Sequence, residues 1–334
     1  MLARVRVGQR ASLVYAIAPL VVALSAPVIV PAAQPTMMPW DAPLAELWQQ
    51  PRDLADRDLF YGPWGAERAP DPNAVYTFVR PKQGGTNPGV IVRDPLGREW
   101  HVKQPSRNGQ GDEGPAEVVV SRVLSAVGYH QPPVYYLPSF TMTDRSGTRL
   151  VRGGRFRLHD GTMRSRGEWS WRRNPFVGMR PHQGLLVILL TFSSFDFKTS
   201  NNTLYEVRSA DRRVEQWYVV RDLGGALGET GWVRPKRNNP DVFERQRFIV
   251  GVHDGFVVFS NHTRHQDAIR GLTPADVGWA SELLSRLSDR QWHDAFRAGG
   301  YAPAAADRFI RKLRANIAQA QQVAGDDWRP APSR

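Results

Sequence analysis

Apolar residues come in short bursts through the first half of the chain and recur at three- to four-residue spacing through its last third. The bursts predict strands at Val75-Tyr76-Thr77-Phe78-Val79, Val90-Ile91-Val92-Arg93 and Glu99 to Lys103. A turn-rich stretch from Pro81 to Gly89 separates the first two, and Asp94-Pro95-Leu96-Gly97 punctuates the second and third. Gly114-Pro115 opens a helix whose apolar side is Val118, Val119, Val123, Leu124 and Val127, with Gly128 as its stop. Pro132, Pro133 and Pro138 flank a short apolar segment, Val134 to Leu137. From Asp144 to Arg180 the chain reads as a basic loop. Gly184 to Phe192 is a nearly unbroken apolar run, expected to be a buried helix. Asn202 to Val207 and Val214 to Val220 read as a hairpin around the polar Arg208–Arg213 turn.

The last third is helical. Thr273-Pro274-Ala275-Asp276 has the form of a capping box, and Val277, Ala280, Leu284 and Leu287 follow at helical spacing. Ser288 to Gln291 starts a second helix that stops at Gly299-Gly300. Phe309, Ile310, Leu313, Ile317 and Val323 mark a third. Strands first and helices afterwards imply an α+β protein with two lobes.

The 334 residues suffice for one large or two ordinary domains. Cysteine is absent, which excludes disulfides, thiolate metal sites and a cysteine nucleophile. The formal net charge of +12 favours anionic partners, although a generally basic proteome accounts for it equally well. At the N-terminus Arg4, Arg6 and Arg10 precede an uncharged stretch from Ala11 to Trp40, with its apolar heart at Leu13 to Ala26 and a cleavage-like Val30-Pro31-Ala32. This is the pattern of a secretory signal or a membrane anchor, and it predicts a body exported to the periplasm, the outside or the outer side of a membrane. If translation starts at Met37 or Met38, the expectation becomes a cytoplasmic protein.

Two short motifs carry the chemistry. Asp196-Phe197-Lys198-Thr199-Ser200-Asn201 closes the apolar run and reads D-x-K-x-x-N. Asp222-Leu223-Gly224 lies 26 positions on and ends the strand-like Trp217 to Arg221. An Asp/Asn-rich turn after a buried helix is a common structural use of these residues. The hairpin that leads from the first motif straight into the second favours a functional pair. In this order the motifs resemble those of the protein-kinase-like superfamily, in particular its divergent branch of HipA-type kinases and CotH-like secreted kinases. The resemblance covers roughly residues 75–325 as an order of elements, and short motifs alone carry it.

The resemblance implies a two-lobed kinase-like fold and an ATP- and Mg²⁺-dependent phosphotransferase whose phosphate acceptor is unknown. Lys103, in Trp100-His101-Val102-Lys103, is similar to the strand lysine that holds the α- and β-phosphates. Glu117 corresponds to the helix glutamate that aims that lysine, with Glu113 a competing candidate and simple helix-dipole stabilisation the alternative. Gly84 and Gly85, with Gly89, occupy the place of a phosphate-covering loop, although their spacing departs from G-x-G-x-x-G and an ordinary hairpin explains them nearly as well. Asp196 corresponds to the group that accepts the hydroxyl proton or orients the nucleophile, and Lys198 to a contact of the γ-phosphate. Asn201, with Asn202 in competition, and Asp222 correspond to the Mg²⁺ ligands. The organisation implied is a signal or anchor over 1–33, an irregular lead-in over 34–74, an N-terminal nucleotide-binding lobe over 75–140 and a basic insert over 141–180. A C-terminal lobe over 181–325 and a tail over 326–334 complete it.

Two departures stand out. Ser194 and Phe195 occupy the places of the family's usual His-Arg, and no A-P-E-like segment follows; residues 231–240 are basic and turn-rich instead. An exported pseudokinase that binds without catalysis is therefore one alternative, and an envelope protein that binds anionic polymers is another. The stretch 145–180 holds ten arginines with Trp169 and Trp171, a composition able to bind single-stranded nucleic acid. A solvated insert or a site for an acidic substrate accounts for it better. His253 and His262-Thr263-Arg264-His265 fit no strong zinc template.

Overall fold

Alternation of large apolar and polar side chains along five strands builds a small closed barrel in the computed structural model of the protein. Residues 43–83, 87–106, 112–159, 161–208, 213–228, 236–260 and 265–325 are described, all of them within the unit Met37–Arg334. The leader, Gly84 and Gly85, His262 and the C-terminal tail lie outside them. Among the described residues no helix is long and apolar enough to cross a membrane.

The barrel strands are β1 (Val75–Pro81), β2 (Gly89–Arg93), β3 (Glu99–Lys103), β4 (Val134–Asp144) and β5 (Gly147–Leu158), in the order β1-β2-β3-β5-β4. A parallel pairing of β1 with β4 closes the ring and the other pairs are antiparallel. Tyr76, Val92, Trp100, Val102, Phe140, Met142 and Phe156 fill it. On β3 the period of two puts Trp100 and Val102 in this core and Lys103 on the opposite face. There α1 (Glu113–Ala126) lies along the barrel, capped by the Asp112 carboxylate, which accepts from the Gly114 N–H at 2.9 Å.

About half of the basic stretch expected to be a loop from Asp144 onward is strand. It forms β5 and β6 (Met163–Gly167) and reaches into α2 (Arg180–Thr191). The ring of strands therefore extends past residue 140 to Leu158, and the segment 141–158 is part of the barrel, not an insert on it. The physical reason is partnership: Arg155 is buried against Glu117 of α1, so a residue type that signals solvent here signals a neighbour. Trp169 and Trp171 are likewise buried, and the Trp169 indole N–H donates to the Val219 carbonyl at 3.1 Å. Neither ring is offered to a ligand as a stacking platform.

The second core is mainly helical. It gathers α1, α2, α4 (Pro274–Ser285), α5 (Asp289–Ala298) and α6 (Pro303–Ala324) around Leu185 to Leu190, Trp292, Phe296 and Leu313. The expected capping box forms between Thr273 and Asp276, and the helix start expected at Ser288 proves to be a second one, with Gln291. The lead-in is irregular, with three short 3₁₀ turns, but it inserts Leu47, Leu54 and Leu59 into this core. Gln291 fastens it by donating to the carbonyls of Leu54 at 2.7 Å and Arg57 at 3.1 Å. β7 (Asn202–Arg208) and β8 (Val214–Val220) form the expected hairpin, extended on one side by β6. A short helix α3 (Pro240–Arg245) and a hairpin of β9 (Ile249–His253) and β10 (Phe256–Phe259) complete the described chain.

Three histidines are kept neutral by this packing. Burial, reinforced by Arg157, holds His101 down at about 4; burial also holds His130 and His182 below their ordinary value. Below the unfolded pKa of about 6.5 the unfolded chain takes up protons that the folded chain refuses, so stability falls as pH drops from there toward 4. The slope is at most about 1.4 kcal/mol per pH unit for each histidine. Urea unfolding of the full chain between pH 7 and 4.5 is expected to show a falling midpoint, with a shallower fall in His101→Gln. A midpoint that stays constant down to pH 5 contradicts this assignment.

Candidate active site

Two neighbouring cations on the barrel meet two carboxylates one turn apart on α1. Lys103 and Arg155 are directly opposite each other in the β3–β5 register. Glu113 and Glu117, at i and i+4, share the helix face turned toward them. Like charges placed side by side on either element alone repel; interleaved across the interface they neutralise each other. The Lys103 ammonium lies 2.6 Å from Glu113 Oε2, 3.6 Å from Glu117 Oε2 and 3.9 Å from Asp222 Oδ1. Arg155 Nε is 3.1 Å from Glu117 Oε1. Glu113 is thus the nearer partner of Lys103, while Glu117 divides itself between Lys103 and Arg155. Glu113 also accepts from the Asn87 amide at 2.6 Å and from the Arg237 guanidinium.

The β7–β8 hairpin brings the two sequence motifs together. Asn202 pairs with Val220, so Asn201 falls opposite Arg221, whose N–H donates to the Asn201 carbonyl at 2.7 Å. Asp222 is the next residue. It adopts φ of 53°, a left-handed conformation uncommon outside glycine, asparagine and aspartate. At the other end of the loop the Lys198 ammonium donates to Asp196 Oδ2 at 2.8 Å, and the Asn201 amide donates to the Asp196 carbonyl at 3.0 Å. Asn202 turns elsewhere, donating its amide to the Trp169 carbonyl at 3.0 Å. Gly224 allows the turn after Asp222 to press on α1: a Cβ there falls 2.5 Å from Glu113 Cβ and 2.6 Å from its carbonyl oxygen.

Lys103, Asp196, Lys198 and Asp222 line one cleft of about 250 Å³, together with Lys82, Asn87, Glu113, Phe195, Gly225 and Arg237. Residues almost 120 positions apart in sequence thus share one concavity. Glu117 lies behind Lys103, in a separate small recess with Ser121, Arg157 and Arg221. The Asp222 side chain is half-exposed, with 53% of its surface open. Burial pushes its pKa up, but Lys103 first and then Arg155, Arg221 and Arg157 outweigh this and hold the carboxyl below its ordinary value. Lys82 is held below the usual ammonium value by burial and by the charges of Arg155 and Lys103.

Among the described residues, three oxygens at this loop are buried without a hydrogen-bond partner: Asp196 Oδ1, Asn201 Oδ1 and Asn202 Oδ1. Unpaired buried oxygens are costly and call for an explanation. The Asn201 and Asn202 amide oxygens and the Asp222 carboxylate are hard oxygen donors, the type Mg²⁺ takes. Water or ligand oxygens would have to complete the shell of such an ion.

Of the residues the sequence pointed to, Lys103, Asp196, Lys198 and Asp222 line the cleft, Glu117 reaches Lys103 from a separate recess, and Asn201 is buried with its amide on the Asp196 carbonyl. Gly84 and Gly85 lie outside the described residues. Lys82, Asn87, Arg155 and Arg237 were not anticipated. Alternation along β5 was a usable signal for Arg155; nothing local marks the other three.

No model of a protein family matches the chain, and no curated protein matches it. Among solved structures, a crystal structure of a Helicobacter pylori proinflammatory kinase, CtkA, aligns over 76% of this chain and 99% of that chain. The aligned pair shares 11% identity with a TM-score of 0.43, too remote to add to the argument from the site.

Proposed function

We propose that the protein is an ATP- and Mg²⁺-dependent phosphotransferase of two-lobed, kinase-like build, acting on an acceptor hydroxyl whose carrier is unknown. The single observation behind this reading is the convergence of Lys103, Asp196, Lys198 and Asp222 on one cleft. In phosphoryl transfer the protein does little covalent work; positioning and neutralisation of charge supply the catalysis. Lys103, fixed on the rigid end of β3, holds the α- and β-phosphates. Glu113 keeps its ammonium in place, a role the sequence alone gave to Glu117. Asp222 and Asn201 hold the cation through oxygen. When bound, Mg²⁺ neutralises charge on the phosphate oxygens. Lys198 meets the γ-phosphate, and Asp196 accepts the proton of the attacking hydroxyl. The acceptor oxygen bonds to the γ-phosphorus as the bond from that phosphorus to the β–γ bridging oxygen breaks, and ADP leaves.

The experiment is transfer or release of the γ-phosphate by the full chain, in wild type and in Asp196→Ala. Loss of a general base is expected to lower turnover by about 10²- to 10⁴-fold while ATP still raises the melting temperature. Equal turnover in the two proteins defeats the reading. A second reading, binding without turnover, draws on Phe195, which is buried and packs on Gly225 where the kinase pattern has a polar residue. It predicts an ATP-dependent rise in melting temperature and no phosphate release in either protein.

A further inference from the structure

The cleft contains a cation that the reading above leaves without a task. Several hydrogen bonds fix the backbone beside Arg237. The Asn238 N–H donates to the Ala226 carbonyl at 3.1 Å and the Asn239 N–H to the Leu227 carbonyl at 2.7 Å. The Asn238 amide donates to the Asp112 carbonyl at 3.0 Å, and the Tyr301 hydroxyl donates to the Asn238 side-chain oxygen. Asn238 sits at φ of 49°, a conformation that asparagine tolerates better than most residues. Across from it, a Cβ on Gly228 falls 2.2 Å from the Lys236 carbonyl oxygen and 2.9 Å from Arg237 Cα, so the two backbones run together only because residue 228 has no side chain. Three parts of the chain, residues 226–228, Asp112 and Tyr301, thus combine to hold the backbone beside Arg237.

What they aim is a guanidinium that rests on Glu113, which Lys103 and Asn87 also engage, and on the ring of Phe195, 5.2 Å away, next to Asp196. Glu113 therefore serves two cations of the cleft. A guanidinium exchanges a carboxylate for a phosphate without changing its fork geometry, because both present paired oxygens. Among the described residues, Lys82, Lys103, Lys198 and Arg237 line a cleft that offers Glu113, Asp196 and Asp222 in return, a balance that suits a polyanion.

We propose that Arg237 is an anion-contacting residue of this cleft, seated on Glu113 and Phe195 until the terminal phosphate of a bound polyphosphate takes over its guanidinium. This rests on the reading of the cleft as a triphosphate site, and it adds discrimination by phosphate number: a triphosphate reaches Arg237 and a monophosphate does not.

The test is calorimetric titration of the full chain, with Mg²⁺ present, using inorganic tripolyphosphate, ATP and AMP as probes. Arg237→Ala is expected to weaken tripolyphosphate and ATP by about tenfold or more, the usual worth of a hydrogen bond to a charged group, and AMP by less than about twofold. Arg237→Lys keeps the charge but not the fork, and it is expected to fall between; it also carries the test if the alanine variant fails to fold. Wild-type affinity for tripolyphosphate in both variants, an equal loss for AMP and ATP, or no tripolyphosphate binding by the wild type overturns the proposal. Tripolyphosphate binding that Arg237→Ala weakens supports it even if the wild type turns over no ATP, a result that removes only the phosphotransfer reading.

Discussion

Asp222→Ala is expected to lower metal-dependent ATP turnover by about a thousandfold, the scale of losing one well-placed charged group at a transition state. The expectation follows from position and charge. Asp222 is the second residue past the β7–β8 hairpin, next to the backbone bond that joins Arg221 to Asn201. Its carboxylate faces Lys103 at 3.9 Å, and the surrounding cations outweigh burial and hold its pKa below the ordinary carboxylate value. It is therefore a permanent anion in a cleft otherwise rich in lysine and arginine, as a metal ligand should be. Asp222→Asn separates charge from shape, since asparagine tolerates the left-handed backbone found there. Turnover is expected to fall in the asparagine variant nearly as far as in the alanine variant, while the melting temperature in the absence of nucleotide stays close to wild type. Turnover as fast as wild type in either variant, measured over a range of Mg²⁺ concentrations, removes Asp222 from the metal site.

Trp100→Ala is expected to destabilise the fold by about 3–5 kcal/mol. Trp100 is fully buried at the centre of the barrel, against Tyr135 and Phe156 in edge-on contacts. Its indole N–H donates to Asp94 Oδ2 at 3.0 Å, an oxygen that also accepts from Arg98 at 2.7 Å. Removing the ring empties the core and leaves the buried Asp94 short of a donor in the turn between β2 and β3. Trp100→Phe fills most of the volume and loses only the hydrogen bond, so its cost is expected to be smaller, of the order of 1–3 kcal/mol. Because Lys103 leaves the same strand, the alanine variant is also expected to bind anions more weakly at temperatures where it is still folded. Urea unfolding checks the first claim; a midpoint equal to wild type for Trp100→Ala contradicts it.

The features readable from sequence are those that local chemistry decides. β3 runs from Glu99 to Lys103 as its alternation and the preceding Asp-Pro-Leu-Gly turn indicate. The helices that start at Thr273 and Ser288 announce themselves through residues three positions apart. The pairing of Asn201 with Arg221 follows from a hairpin whose two strands have equal length around a polar turn. What escaped is decided by partners far along the chain. Arginines at 149, 152, 155 and 157 look like a solvated loop until Glu117 and the β4 pairing are in view. Glu113 and Glu117 differ by one helical turn, and only the approach of Lys103, Asn87 and Arg237 separates their roles. Arg237 itself sits in a turn-rich, basic segment with no periodicity, and its place in the cleft depends on contacts with Ala226, Leu227, Asp112 and Tyr301.

The central claim is that a metal-bound triphosphate occupies the cleft between Lys103 and Asp222. A crystal structure of the full chain grown with a non-hydrolysable ATP analogue and Mn²⁺ in place of Mg²⁺ tests it most directly, since anomalous scattering locates the metal. The account predicts a metal peak within bonding distance of an Asp222 oxygen and of Asn201 Oδ1, with the phosphates over the Lys103 ammonium. A saturating analogue bound anywhere else, or a metal that contacts neither residue, contradicts it.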